Sequence, residues 1–453
     1  MKKYNILMLM ADQFRCDWMG CAGNKFTDTP NIDGIAKRGV LFSRSTCNSP
    51  LCAPSRAALA AGVYPHRLGV LSNNENFPAD YPTYYQALRK NGYRVGAAGK
   101  TDLHKPDHFY GENGDLPVMY HLGFTDVVDT EGKMNAARFG PSNKVSGPYQ
   151  KFLQEHGMLD GFMADYHQRI KNLPVWYSSA SVLSEEYYHD SFIGRAACEF
   201  IKNVPDESPW HLHVSFVGPH DPWDAPENYL AKYADRSFPA SIEDDMAGKP
   251  CWVTEKRDKF SKDMSKDDIL RVKQNYTAMV KLLDDKIGEI LAVLEAKGQR
   301  ENTVIIFCSD HGEMLGDHGL FRKGFMYESA VRIPLIISLP EMNYGRKSGA
   351  LAELMDLAPT ILDLAGVTYD AGKFDGESLM PVLEGRDAHK DCQISQLYNT
   401  RMIFDGRYKY IESYNDINEL YDLKSDPDEL CNIINDYPDV ARELTRQLIQ
   451  KTK

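Results

Sequence analysis

Short apolar runs that end in Gly, Pro or Asp alternate with helical periodicity along most of the chain. These runs occupy residues 4–11, 93–100, 210–219, 302–310 and 333–340. They are mostly aliphatic or β-branched, as expected for buried strands. Residues 267–297 instead repeat apolar side chains at three- and four-residue steps before Gly298, which predicts a long helix with a glycine C-cap. The alternation is typical of a mainly parallel sheet covered by helices.

Two segments depart from this pattern. Residues 105–180 are rich in Gly, Asn, His, Tyr and Pro and are interpreted as an insertion that carries substrate-recognition loops. After about residue 390 the chain changes to short alternating stretches separated by turns, followed by a closing helix. We therefore predict an α/β catalytic domain over 1–385, with a large mixed, mostly parallel sheet between helices. Residues 386–453 are expected to form an α+β subdomain with a small antiparallel sheet and one helix.

Charge and hydropathy exclude several classes of protein. The 453 residues carry a net charge of -12 without a long single-sign block, which argues against a nucleic-acid partner. No apolar run approaches the ~18 residues of a membrane span. The apolar run at the N-terminus is short and lacks a small-residue cleavage site, so it is expected to be a strand and the protein cytoplasmic. The nine cysteines are scattered, which indicates neither a disulfide framework nor a zinc site.

Polar side chains follow two of the predicted strands. Asp12 and Gln13 come after the first run, and Asp310 and His311 come after 302–310. The carboxyl ends of parallel strands meet at one edge of a sheet, so these side chains can lie close together. An oxygen-rich set with one imidazole favours calcium, magnesium or manganese over a thiolate-bound metal. The alternative is that both aspartates only begin turns or cap helices.

The stretch "CAPSR" places Cys52 at the start of a predicted helix. Pro54 and Ser55 suit a first helical turn, and "RAALAAG" is a strong helix former that ends in a glycine. The free N–H groups of a helix N-terminus attract anions, and Arg56 adds a fixed cation one turn away. Cys52 is thus predicted to face an anion-binding site. The alternative is a buried structural cysteine before a packing helix.

Further polar residues lie just beyond predicted strands. Lys100 and His104 follow the run at 93–100, His220 follows 210–219, and Lys323 lies beyond the 310–319 loop. Each residue alone is more commonly structural. Together with Arg56 at one strand edge they would form a cationic cup over a metal and a nucleophile, which suits a tetrahedral oxyanion.

Five separated motifs resemble segments of the type I sulfatases, members of the alkaline phosphatase superfamily. "CAPSRAALAAG" resembles the family signature, and the other segments follow in family order between about residues 4 and 435: "NGYRVGAAGK", "GPHDPW", "SDHGEMLGDHGLFRKGFMYESAVRIPLII" and "NELYDLKSDPDELCNI". The resemblance implies hydrolysis of a sulfate monoester, on a carbohydrate or a small alcohol, to the alcohol and inorganic sulfate.

The resemblance also implies a role for each candidate residue. Cys52 would be oxidised to formylglycine by a separate formylglycine-generating enzyme, and its hydrate would ligate one divalent metal ion and attack the sulfur. Calcium is the expected metal, with manganese and magnesium as alternatives. The remaining metal ligands would be Asp12, Gln13, Asp310 and His311. Arg56 and Lys100 would hold the hydrate and the oxyanion, His220 and Lys323 would bind sulfate and protonate the leaving oxygen, and His104 would help to expel sulfate.

The motifs depart from the common sulfatase pattern at three positions. Gln13 and His311 resemble the set in phosphonate monoester hydrolases, so a hydrolase of phosphonate monoesters or phosphodiesters with the same machinery is an alternative. His104 is further from Lys100 than usual, which leaves Asp102 and His108 as rivals. A silent binder of sulfated glycans and a hydrolase with a free thiol at Cys52 are two further alternatives.

Substrate specificity is expected to come from three loops, at 64–78, 105–180 and 221–228. The residues in or near them that could contact a sugar are His66, Asn73, Asn74, Asp221 and Trp223.

Overall fold

The computed structural model describes residues 3–140 and 144–453, and contains two β-sheets with helices around them. The strands are β1 (Asn5–Ala11), β2 (Val40–Thr46), β3 (Arg94–Gly99), β4 (Asp126–Asp129), β5 (Trp210–Ser215), β6 (Thr303–Ser309), β7 (Leu335–Ser338), β8 (Arg346–Glu353), β9 (Gln393–Gln396), β10 (Thr400–Phe404), β11 (Tyr408–Ser413) and β12 (Glu419–Asp422). The α-helices are α1 (Pro30–Ala36), α2 (Cys52–Ala61), α3 (Pro65–Leu68), α4 (Tyr84–Lys90), α5 (Pro117–Leu122), α6 (Pro148–Glu155), α7 (Leu159–Asn172), α8 (His189–Asn203), α9 (Glu227–Leu230), α10 (Cys251–Ser261), α11 (Lys266–Ala296), α12 (Glu328–Val331), α13 (Leu357–Leu364), α14 (Met380–Leu383) and α15 (Pro438–Lys451).

The main sheet has eight strands in the order β4-β3-β5-β1-β6-β7-β2-β8. Every pairing is parallel except those of β7, which runs antiparallel to both β6 and β2. The chain leaves β6 at the carboxyl edge of the sheet and stays there through α12, so β7 has to run back in the opposite direction. The predicted mixed, mostly parallel sheet between helices is confirmed.

Three strands of the main sheet were not predicted. In β2 a half-buried Ser43 and an exposed Arg44 interrupt the apolar run, and in β8 exposed and buried residues alternate. The edge strand β4 lies inside the segment 105–180, so that segment also contributes a strand to the main sheet. The insertion also contains α5, α6 and α7, while its residues 141–143 lie outside the described residues.

The core of the large sheet lies on its two faces. Along β1 the side chains of Ile6, Met8 and Met10 pack into one cluster, and those of Leu7 and Leu9 pack into the other. All five are fully buried, as expected for a strand in the centre of a parallel sheet. The long predicted helix is confirmed as α11, which packs on the second face. This central burial fixes the positions of the strand ends, where the polar residues lie.

The C-terminal residues form a four-stranded antiparallel sheet, in the order β12-β11-β10-β9, and helix α15. Ile403 and Leu420 of this sheet share a core cluster with Leu444 and Leu448 of α15 and with Ala58 of α2. The small sheet and α15 are confirmed, while a domain boundary between residues 385 and 386 stays a prediction. Because this cluster includes Ala58, the C-terminal sheet supports the helix that begins at Cys52. No helix in the described part of the chain combines the length and apolarity needed to cross a bilayer.

Candidate active site

Four segments converge at the carboxyl edge of the main sheet. Asp12 follows β1, Lys100 follows β3 and Asp310 follows β6, while α2 begins at Cys52, in the connection that leaves β2. The predicted helix start at Cys52 is therefore confirmed. Since β1, β3, β6 and β2 run in the same direction, their ends lie side by side.

The close approach of β3 and β5 explains the glycine before Lys100. Gly99 has a φ of 105°, in the left-handed region, and a Cβ built on it would lie 2.0 Å from the carbonyl oxygen of Ser215. No other residue fits at this position without moving the strands apart. The glycine thus allows Lys100 to turn directly into the site.

A buried set of donor groups surrounds the side chain of Cys52. The ligand atoms of Asp12, Cys52, Asp310 and His311 all lie within 4.8 Å of one another. Sγ of Cys52 is 3.2 Å from Nε2 of His311 and 3.7 Å from Oδ1 of Asp12. Two carboxylates and an imidazole that converge without water access fit a hard or borderline divalent cation. The residues present therefore suit the metal that the resemblance implies.

Hydrogen bonds orient two of these donor groups. Nδ1 of His311 lies 2.9 Å from the carbonyl oxygen of Gly312, so Nδ1 carries the proton and Nε2 is left free for a cation. Oδ1 of Asp310 accepts from the backbone N–H groups of Gln13 and His311, at 3.0 and 2.9 Å. The donor positions are thus fixed by the backbone around them.

The side chain of Gln13 turns toward neighbouring loops. Its Oε1 accepts a hydrogen bond from Lys323, and its Nε2 donates to Glu313 and, at 3.3 Å, to Asp221. Burial raises the pKa of Glu313 to about 7. A role for Gln13 as a metal ligand stays a prediction. The contacts of its side chain link the buried donor groups around Cys52 to the loop that carries Lys323.

Arg56 lies in the floor of the site and is almost completely buried. Its Nε donates to Oδ2 of Asp310 at 2.8 Å, and its Nη1 donates to the carbonyl oxygen of Lys100 and to Ser215 Oγ, both at 2.6 Å. Its Nη2 has no hydrogen-bond partner among the described residues and lies 3.7 Å from Oδ2 of Asp12. One donor of the guanidinium thus remains free at the centre of the site.

Two lysines share one carboxylate beside Cys52. Nζ of Lys105 and Nζ of Lys100 lie 2.5 and 3.2 Å from Oδ2 of Asp102, and Lys100 also contacts Asp12. Burial would raise the pKa of the Cys52 thiol, but the charges of Lys100, Lys105 and Lys323 outweigh it and bring the pKa well below its ordinary value. The surroundings of Cys52 therefore favour an anion at this position, although the net charge of the protein is -12.

His104 is held away from these groups. Its Nε2 lies 2.8 Å from Oδ2 of Asp129, at the end of β4, and Asp129 also accepts from the N–H of Thr101 at 2.9 Å. Burial lowers the pKa of His104, but the hydrogen bond and charge of Asp129 outweigh it and leave the pKa raised. Its neighbour Lys105 lines the cavity at the site instead. The part suggested for His104 stays a prediction that this geometry does not favour.

His220 and Lys323 face each other across the opening of the site. Nζ of Lys323 donates to Nε2 of His220, whose Nδ1 lies 2.5 Å from the carbonyl oxygen of Asp221. Nδ1 therefore carries the ring proton, and Nε2 accepts the hydrogen bond from Lys323. The predicted proximity of these two residues to the cationic cup is thus seen in the structure.

A cavity of about 200 Å³ opens over this arrangement. Its polar lining consists of Asn73, Lys100, Lys105, Lys133, Asn135, His220, Asp221, Arg322 and Lys323. Of these, Lys105, Lys133, Asn135 and Arg322 were missed by sequence reasoning. Lys105 and Arg322 are adjacent to residues or motifs already singled out, which is the only signal that could have indicated them.

Of the residues suggested for substrate specificity, some line the cavity and one is buried away from it. Asn73 and Asp221 line the cavity, and Oδ1 of Asn73 accepts from the N–H of Ala53 at 3.0 Å. Trp223 is fully buried against Phe321, so the suggestion that it contacts a sugar was wrong. A loop position beside a polar motif predicts exposure, but here the indole fills the core beneath the loop.

Comparison with known proteins identifies the family. Residues 4–367 match the family model described as Sulfatase. The chain belongs to the sulfatase family. A second model, N-sulphoglucosamine sulphohydrolase C-terminal, matches residues 316–453. The sulfatase assignment places the protein in the alkaline phosphatase superfamily as a sulfuric ester hydrolase, which confirms the prediction.

Relatives and solved structures align with this sulfatase over almost all of its length. A choline-sulfatase of Rhizobium meliloti is 28% identical, over 95% of this chain and 82% of the relative. An N-acetylglucosamine-6-O-sulfatase of Bacteroides thetaiotaomicron is also 28% identical, over 100% and 86% of the two chains. The crystal structure of the phosphonate monoester hydrolase of Agrobacterium radiobacter superposes with a TM-score of 0.82 at 25% identity, over 99% of this chain and 95% of that one.

Proposed function

We propose that this sulfatase hydrolyses the sulfate monoester of a carbohydrate through a formylglycine made from Cys52 and one divalent metal ion, with calcium as the expected metal. The observation that carries the proposal is the position of Cys52, which starts α2, lies within 4.8 Å of three metal-type donors and is surrounded by cations. The 28% identity to an N-acetylglucosamine-6-O-sulfatase over the whole chain supports a carbohydrate substrate.

Two groups complete the site in this proposal. As a hydrated aldehyde, residue 52 would supply an oxygen nucleophile and, through its second hydroxyl, a route for release of sulfate. A divalent cation held by Asp12, Asp310 and His311 would lower the cost of bringing an anionic oxygen to an anionic ester. The enzyme that makes formylglycine is then a required partner during maturation.

The protein side chains would neutralise charge at both ends of the breaking S–O bond. Nη2 of Arg56 is free to hold an oxygen on residue 52. Nζ of Lys100 is near this oxygen as well, where it contacts Asp12 and Asp102. At the opening, Nζ of Lys323 donates a hydrogen bond to Nε2 of His220. This pair can bind the sulfate and give a proton to the leaving alcohol oxygen. Proton donation matters because an alkoxide is a poor leaving group.

We assign to Lys105 the role that the resemblance gives to His104. His104 Nε2 is engaged by Asp129, whereas Lys105 lines the cavity and acts on Cys52 through its charge. Lys105 would therefore hold a sulfate oxygen opposite Lys323. Asp102 would act as a positioning residue, because its Oδ2 contacts both lysines.

The first test compares two esters with the same aryl leaving group. Purified protein with its metal is assayed in parallel on an aryl sulfate and on the matching aryl phosphonate. The proposal predicts a higher kcat/KM for the sulfate. A clear preference for the phosphonate would instead support the alternative hydrolase of phosphonate monoesters. That alternative is favoured by Gln13 and by the TM-score of 0.82 to the phosphonate monoester hydrolase.

A further inference from the structure

A second cavity adjoins the one over Cys52. It has a volume of about 320 Å³ and lies between the loop after α7 and the end of α10. The two cavities share Asp221 and Arg322 in their linings. The second cavity therefore lies next to the first, with Asp221 and Arg322 at their junction.

Hydrogen bonds fix the backbone of Arg322 at this junction, while its side chain is 37% exposed. Its backbone N–H donates to Oε1 of Glu313 at 2.5 Å, and its carbonyl oxygen accepts from the N–H of Met314 at 2.9 Å. Nη2 lies 2.8 Å from Oδ2 of Asp221. Its Nε is buried and has no hydrogen-bond partner among the described residues. A buried N–H donor without a partner is costly, so this group points to an acceptor that a ligand would bring.

The far side of the second cavity is positively charged. Lys259 and Lys262, near the end of α10, are exposed and have no carboxylate within ion-pair distance in the described part of the chain. Both lysines face a cavity whose lining has Asp221 as its one acid, and Asp221 is paired with Arg322. Lys259 and Lys262 thus form a cationic rim on this side of the cavity, without a paired carboxylate among the described residues.

The wall between the junction and this rim is aromatic. Trp176 and Tyr177 come from the segment 105–180, and Phe260 comes from α10. Trp176 and Phe260 are half-buried, so each leaves part of its ring open to the cavity. Flat aromatic faces pack well against the C–H face of a sugar or against an aryl ring.

We propose that this second cavity binds the leaving group of the ester, and that the preferred leaving group is a ring-shaped alcohol with its own anionic substituent, a sulfate or a carboxylate. Lys259 and Lys262 hold the second anion, the aromatic wall holds the ring, and Nε of Arg322 donates a hydrogen bond to an acceptor on the ligand between the two charges. This inference rests on the proposed function, because it takes the first cavity as the site of the scissile sulfate.

Binding to a protein that cannot turn over tests this inference separately from catalysis. The Cys52→Ala variant, with calcium present, is titrated calorimetrically with glucosamine 6-sulfate that carries a free amine, an N-acetyl or an N-sulfo group. The three sugars differ at one ring position by a positive, a neutral and a negative charge. We expect the N-sulfo sugar to bind at least about tenfold more tightly than the N-acetyl sugar, with the free amine weakest. Titration with 4-carboxyphenyl and 4-carbamoylphenyl sulfate then asks whether a carboxylate serves as well as a sulfate.

The two rim lysines are tested in the same background. The double substitution Lys259→Gln and Lys262→Gln is expected to reduce the preference for the N-sulfo over the N-acetyl sugar to less than about threefold. Lys347→Gln, at an exposed lysine on β8, removes a charge elsewhere and should retain the full preference. Equal affinity across the charge series, no binding of any sugar, or an unchanged preference in the double variant would each overturn the inference. Failure of the wild-type enzyme to hydrolyse any sulfate ester would instead overturn the proposed function.

Discussion

Lys105 and Asp102 form an ion pair at the edge of the cavity over Cys52, with Nζ 2.5 Å from Oδ2. The same oxygen lies 3.2 Å from Nζ of Lys100. Two ammonium groups therefore share one buried carboxylate, although the chain turns sharply between them at Asp102, where φ is 57°. A non-glycine residue in the left-handed region is strained, and such strain is retained where a site requires it.

Substitution of Lys105 separates its role from that of His104. Lys105→Ala should lower kcat/KM for an aryl sulfate by about 10²-fold, the scale seen when one charge-stabilising donor is lost. His104→Ala should lower it less than about tenfold, because Asp129 holds that imidazole away from the cavity. Steady-state kinetics of both variants provide the measurement, with Lys105→Arg as a charge-conserving control that retains part of the activity. The reverse order of effects would return the role to His104.

Arg56 is expected to be essential both for the fold and for turnover. Arg56→Lys keeps the charge but cannot reach Asp310, Ser215 and the carbonyl oxygen of Lys100 together. We expect the free energy of unfolding to fall by about 3 kcal/mol, as for a broken buried ion pair, and kcat to fall at least about 10²-fold. Urea unfolding and steady-state kinetics measure the two effects. Arg38→Lys, at a largely exposed pair with Glu301, should change neither quantity, and wild-type kcat in Arg56→Lys would contradict the assigned position.

Removal of the metal should destabilise the protein. A cation that binds only the folded state stabilises it, so a chelator is expected to lower Tm by several degrees and to abolish hydrolysis. Calcium should restore both more fully than magnesium or manganese. In Asp310→Asn, which weakens the donor set, the chelator should shift Tm much less. A Tm that the chelator leaves unchanged in the wild type would argue against a bound cation at Asp12, Asp310 and His311.

The pair of His104 and Asp129 predicts a pH-dependent stability. Because the pKa of His104 is raised above its ordinary value of 6.5, the charged pair contributes its full stability below that pH and loses it as the pH rises through the raised pKa. Asp129→Asn should therefore lower the free energy of unfolding by about 1.5–3 kcal/mol near about pH 6, and by less near about pH 9.

The neighbouring Asp126 offers a matched control for this pH dependence. It lies on the same strand β4 and pairs with Arg94, whose guanidinium stays charged across this pH range. Asp126→Asn should have the same small effect at both pH values in urea unfolding. If Asp129→Asn also lost equal stability at both, His104 would not be the titrating group.

The strand ends were predictable because their chemistry follows from local sequence. Asp12 and Asp310 each come directly after an apolar run, and parallel strands place such residues at one edge. The start of α2 at Cys52 was equally clear from its proline and alanines. The path of the loops could not be predicted from the sequence alone. Adjacent residues such as His104 and Lys105 point to different partners, and the choice depends on Asp129 in an edge strand that the pattern did not reveal.

Arg322 illustrates the same limit in a different loop. Its motif was interpreted only for Lys323, whereas the contacts that fix Arg322 come from Glu313, nine residues earlier in the same connection, and from Asp221 in another loop. The error at Trp223 has a similar cause, since its burial depends on Phe321. Local pattern predicts which residues are near a strand end, and tertiary packing decides which of them face the cavity.

The mass of the peptide that contains residue 52 tests the central claim most directly. Protein produced together with a formylglycine-generating enzyme is digested, and the peptide is measured before and after reaction with a hydrazide that captures aldehydes. The account predicts that the sulfur of Cys52 has been lost, that the hydrazide adds to the peptide, and that hydrolysis of an aryl sulfate rises with the modified fraction. An intact thiol at Cys52 in a preparation with full sulfatase activity would contradict it.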